Sequence, residues 1–201
     1  MSDDNETVDL QAIPDDPKSA PADRATEGPL DESEANPVRP YIDLGGIKVL
    51  PREGLGIRLE IDEANQRVVA VTLDYVGSTL QVQAFAAPRS SGLWVEVRGQ
   101  IAEQLAAQGS PVTDVEGAFG PELRARLTGE GGVPQSARFI GVDGPRWLLR
   151  GVIAGDAAVD GDAATQIDDL FRSLVVVRGN VPMPPRDLIP LQVPTAGSAP
   201  L

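Results

Sequence analysis

The chain is expected to form an α+β domain, a largely antiparallel β-sheet flanked by two helices, with disordered tails. Three observations predict it. Short runs in which apolar and polar residues alternate recur from residue 47 to residue 154, punctuated by Gly, Pro and Asp. The apolar period lengthens to three and four residues at only two places, 93–108 and 162–176. The two ends lack any period and are rich in proline, the first of them in acid as well.

Taken in order, residues 1–39 read as a disordered acidic leader. Residues 1–36 hold 11 Asp and Glu against Lys18 and Arg24, so about two thirds of the net charge of −13 lies there. Such a segment has little apolar surface to set against its conformational entropy. A single α+β domain is expected over 40–180. Ile47–Leu50 is a short strand stopped by Pro51. Leu55–Ile61 alternates, with Leu55, Ile57, Leu59 and Ile61 facing inward. Arg67–Tyr75 and Thr79–Ala87 follow after short turns and complete a meander. From Leu93 to Gln108, Trp94, Val97, Ile101 and Leu105 form the stripe of an amphipathic helix, in which Gly99 suggests close approach to the sheet. Val112–Phe119 and Glu122–Leu127 are two more strands.

The stretch Ala137–Ala154 is a hairpin about the turn Val142-Asp143-Gly144-Pro145. Trp147, Leu149, Gly151 and Ile153 lie on one face of its second strand, and Arg146, Leu148, Arg150 and Val152 on the other. A strand apolar on both faces belongs in the middle of a sheet. A second helix is expected from a cap at Asp162 to about Val176, with Ile167, Leu170, Phe171, Leu174 and Val175 on its apolar face. Residues 181–201 read as a proline-rich extended tail whose Leu188, Ile189, Leu191 and Val193 could lie against the body. Strands in two groups, each followed by a helix, suggest one helix on each side of the sheet. Mog1- and PsbP-like sandwiches share this element order, a likeness of fold that transfers no function.

Four segments carry a further resemblance: Leu44–Val49 (LGGIKV), Val82–Arg89 (VQAFAAPR), Leu93–Arg98 (LWVEVR) and Val142–Gly151 (VDGPRWLLRG). Together they resemble an actinobacterial conserved family, a domain of unknown function, over roughly Tyr41–Pro190. The resemblance implies a cytoplasmic origin and no activity, ligand or catalytic residue.

Composition removes several chemistries. With no Cys and no His, disulfides, thiolate nucleophiles, His-based triads and the usual zinc sites are excluded. Acidic balance argues against nucleic acid held by direct electrostatics. No apolar run is long enough for a membrane helix, and the chain reads as cytoplasmic. No cofactor and no metal site is implied, since no carboxylate spacing picks out a pair.

The candidates that remain are weak ligand-binding residues: Arg146, Trp147, Arg150 and Trp94. The two arginines lie four apart on a strand and could clamp a carboxylate or phosphate, or could each meet an acid or lie along the sheet. The two tryptophans could cradle a ring or simply pack. Asp143 reads as a turn former. Gly141-x-x-Gly144 and the Gly129–Gly132 loop lack the Lys-Ser/Thr ending of a phosphate loop. Lys48 reads as a solvated strand-edge charge. The first functional reading is a non-catalytic protein-interaction or adaptor domain with an unknown protein partner. The alternatives are a small anionic ligand-binding module at Arg146 and Arg150, or an Asp/Glu-dependent enzyme using two of Glu60, Asp74, Glu96, Asp114 and Glu116.

Overall fold

Runs rich in β-branched residues build a large sheet within 56–155, and short strands on either side of them a small one; a computed structural model describes residues 16–194. In chain order the elements are α1 (Arg24–Glu27), β1 (Leu30–Asp31), β2 (Ile42–Asp43), β3 (Ile47–Val49), β4 (Gly56–Asp62), β5 (Arg67–Tyr75) and β6 (Ser78–Ala86). Then come α2 (Trp94–Ala107), β7 (Val112–Gly117), β8 (Gly120–Thr128), β9 (Pro134–Asp143), β10 (Trp147–Gly155), α3 (Asp162–Arg172) and β11 (Val175–Val176).

The large sheet runs β4-β5-β6-β10-β9-β8-β7, every neighbouring pair antiparallel. The meander β4–β6 is laid first, and the chain then crosses by α2 to the far edge. It returns through β7, β8 and β9, so that β10 closes the sheet against β6. A hairpin strand that closes a sheet acquires two hydrogen-bonded neighbours, which is why both faces of β10 are apolar. Trp147, Leu149 and Ile153 enter the main core with Ile167, Leu170 and Phe171 of α3. Leu148 meets Leu93 and Trp94 at the start of α2 on the opposite face. The fold is α+β with helices on opposite faces of a largely antiparallel sheet.

A small sheet, β1-β11-β3-β2, lies on the α3 side, where Ile47, Val49 and Val176 join the main core. Its β1–β11 pair is parallel. Here the structure departs from expectation four times. The second helix stops at Arg172, and Val175–Val176 is a strand, because β3 and β1 offer partners to a β-branched pair. Lys48 lies on inner strand β3 and pairs with Glu32 at 2.9 Å, so it is not an edge charge. Ile61 is 51% exposed, because a bulge at Glu60/Ile61 turns it away from the face used by Ile57 and Leu59. An added Cβ at Gly99 would meet nothing within 4 Å, so that glycine does not mark an approach to the sheet.

Residues 16–39 are not a disordered leader. They form α1 and β1, the amide of Leu30 bonds Leu174 O, and Gly92 N donates to Asp16 O. A few specific hydrogen bonds and one parallel strand hold a segment with few apolar residues; residues 1–15 lie outside the described residues. The described part of the proline-rich tail, 181–194, is docked. Beyond Val71 and Val82 the two strands β5 and β6 no longer pair, and the tail fills the space. Arg186 N and Ile189 N donate to Ala86 O and Ala84 O at 2.8 Å, while Ile189 and Leu191 are buried and Val193 is exposed.

Candidate functional site

The turn between β9 and β10 fastens a different element with almost every residue. Asp143 is buried, and its Oδ1 accepts the amides of Leu93 (2.9 Å) and Trp94 (3.3 Å) while Oδ2 accepts that of Ser19 (2.9 Å). Leu93 is the N-cap of α2 and has no side-chain cap of its own, so a carboxylate from another strand supplies one. Burial raises the Asp143 pKa, against the pull of the three amides and of Lys18. Lys18 in turn donates to the carbonyls of Gly144 and Pro145. Asp143 is thus a remote helix cap rather than a turn former.

The two glycines of Gly141-x-x-Gly144 hold indoles, not phosphates. A Cβ at Gly141 would lie 2.3 Å from the Trp94 ring, and one at Gly144 would lie 2.1 Å from that of Trp147. Trp94 and Trp147 are both fully buried, on opposite faces of the sheet. Trp94 Nε1 donates to Pro121 O at 2.7 Å, and Trp147 Nε1 donates to Asp31 at 2.9 Å. The Arg24 guanidinium lies 5.7 Å from the Trp147 ring centroid. Neither indole offers a face to a ligand.

Arg146 and Arg150 share no partner. Arg146 donates to Gly179 O at 3.0 Å, just past β11. Arg150 donates to Gln83 Oε1 and stands 5.4 Å from the Phe85 ring centroid. Burial alone pushes its pKa below the ordinary value, and no carboxylate among the described residues meets it. The face it occupies continues across four strands. Gln83 Nε2 donates to Val69 O, and Glu60 accepts from Thr72 Oγ1 and from Gln81 Nε2. Along β6 buried residues alternate with half-buried Thr79, Gln81, Gln83 and Phe85, because α2 packs over β7, β8 and β9 and reaches this half of the sheet only where Phe85 meets its first turn.

A family model matches residues 28–199, most of the chain. The chain belongs to the DUF3710 family, a protein of unknown function. No curated protein and no solved structure matches it. The stretch matched to DUF3710 starts just before β1, after α1, and takes in the docked C-terminal segment.

The carboxylates singled out from the sequence are dispersed. Asp74 is held by Arg58 at 2.6 Å and Asp114 by Arg98 at 3.1 Å, while Glu96 pairs with Arg186. Among the described residues no group of three acids could hold a metal ion. The most buried ion pair carries no motif in the sequence. Arg138 and Glu122, 3% and 1% exposed, pair at 2.9 Å, and Asp168 of α3 meets Arg138 at 3.2 Å. The signal for Glu122 and Arg138 was their place in the alternation of β8 and β9, on the face that meets α3. Arg178, beyond β11, comes near Arg146 and lines a cavity with it.

Proposed function

We propose that the domain is a non-catalytic interaction module that docks an acidic protein partner on the uncovered half of the large sheet. The observation that carries this reading is Arg150: a half-buried guanidinium on an inner strand with a carboxamide and a ring for neighbours and, among the described residues, no acid. A desolvated charge without a counter-charge costs stability, so such a residue is retained for something that completes it. A partner carboxylate set against Arg150, with an apolar group on Phe85, completes it and gives the charged and aromatic centre typical of an interface. The carboxamides of Gln81 and Gln83 supply polar contacts around that centre.

The test is a native pull-down with mass spectrometry from source cells, using the full chain and its Arg150→Glu variant. A stoichiometric partner retained by the wild type and lost by the variant is expected, and a charge-swapped partner, with Lys for its acid, should bind Arg150→Glu again. An identical partner set with both chains, or none with either, overturns the reading.

A further inference from the structure

A second group of arginines suggests a site of another kind, independent of the sheet face. The loops that leave the parallel strands β1 and β11 lie side by side, and the β9–β10 turn brings Arg146 against them. Between them is a cavity of about 370 Å³ lined by Asp31, Glu32, Ser33, Arg146, Arg178, Gly179 and Asn180. Arg146 donates one bond to Gly179 O, and Arg178 donates one from Nη1 to Val181 O at 3.0 Å. Arg178 Nε is buried without a hydrogen-bond partner. Burial, and then the nearby charge of Arg146, push the Arg178 pKa below its ordinary value.

The acids of the same cavity are engaged elsewhere. Asp31 accepts from Ser33 N, Ser33 Oγ and Trp147 Nε1, and Glu32 pairs with Lys48 at 2.9 Å. Two guanidinium groups therefore face one space with their charge uncompensated and several N–H donors unused. We propose that this cavity binds the phosphate group of a small hydroxylated phosphate ester, of the sugar or polyol class.

The chemistry selects that class. A phosphate monoester carries close to two charges and three terminal oxygens, enough to accept from both forks, whereas one carboxylate has a single charge and two oxygens. The cavity is larger than a bare ion needs, within the range of small-molecule sites, so it has room for an organic portion. Asn180 and the Glu32 oxygen not bonded to Lys48 also line it and are available to accept from hydroxyl groups.

The full chain is labelled with ¹⁵N, and the arginine Nε–Hε signals are followed while inorganic phosphate, glycerol 3-phosphate or sodium acetate is added. Both phosphates are expected to move the Arg178 Nε–Hε signal saturably, glycerol 3-phosphate at lower concentration, and acetate is not. Arg146→Ala and Arg178→Lys should each weaken binding at least about tenfold, the loss of one charge-assisted fork. Arg146 is partly exposed and makes one bond to a carbonyl, so its variant keeps the test open if Arg178 proves necessary for folding. No saturable shift with either phosphate, an equal shift with acetate, or binding that survives both substitutions overturns the proposal. Arg150→Met should bind phosphate like the wild type, which separates this site from the sheet-face reading.

Discussion

Arg138 and Arg150 stand on adjacent inner strands of one sheet, both largely withdrawn from water, facing opposite sides. Arg138 looks towards α3 and is met by Glu122 and Asp168; burial pulls its pKa down, and these acids more than restore it. Arg150 looks towards the uncovered side and finds a carboxamide and a phenyl ring, so burial goes unanswered and its pKa falls. The first arrangement is closed: every charge has its counterpart inside the chain, and the cluster ties α3 to β8 and β9. The second is open on the side where a partner can approach. Charge balance separates these two arginines more cleanly than burial does.

The contrast breaks most visibly at Arg138. Arg138→Ala takes the cation from Asp168 and leaves buried Glu122 with Arg124 alone, and should cost about 3–5 kcal/mol, read from urea denaturation. The double variant Arg138→Met/Glu122→Met should recover much of that loss, since a buried pair replaced as a unit by apolar groups is often near neutral. Asp143→Ala comes next, at about 2 kcal/mol or more, because it strips acceptors from the amides of Leu93, Trp94 and Ser19. Hydrogen exchange should show protection lost at those three amides.

Two carboxylates give pH effects of opposite sign. The Asp31 pKa lies below its ordinary 3.8: burial works to raise it, but the Ser33 and Trp147 hydrogen bonds and Arg24 prevail. Its contribution is therefore present above 3.8 and lost as pH falls through the lower folded value. The Asp143 pKa lies above 3.8 through burial, so its contribution is complete below 3.8 and lost as pH rises through the raised folded value. Denaturation across the acid range should show Asp31→Asn flattening the lower limb and Asp143→Asn the upper one. The smallest change in stability is expected at Arg150. Arg150→Met should stay within about 1 kcal/mol of the wild type or exceed it, because no acid is orphaned. A loss there comparable with that of Arg138→Ala would place Arg150 in the architecture and remove the basis for a docking face.

Much of the scaffold is readable from periodicity. Arg67–Tyr75, rich in β-branched residues, is β5 to the residue, and the Trp94–Val97–Ile101 stripe is α2. The face assignment of β10 holds as well, with Trp147 and Leu149 in one core and Leu148 in the other. Periodicity fails where a neighbour overrides it. A bulge turns Ile61 outward, and Val175–Val176, a natural end to a helical stripe, is taken by strands from the far end of the chain. The leader shows the same limit: Asp16, Ser19 and Asp31 are polar residues in a run that resembles disorder, and each is fixed by hydrogen bonds to residues distant in the chain.

The candidate site was legible only by residue type. Arg146 and Arg150 look alike in sequence, as do Arg138 and Arg126, and their spacing places Arg146 and Arg150 together. Alternation reports which side of a strand a residue takes, and for β-structure the sequence determines that much, along with the turns and the two helices. It does not report what stands opposite. That Arg138 meets two acids, that Arg150 meets none and that Arg146 is joined by Arg178 depends on elements distant in the chain. Electrostatic balance is a property of neighbours in space, and only the tertiary structure chooses those neighbours.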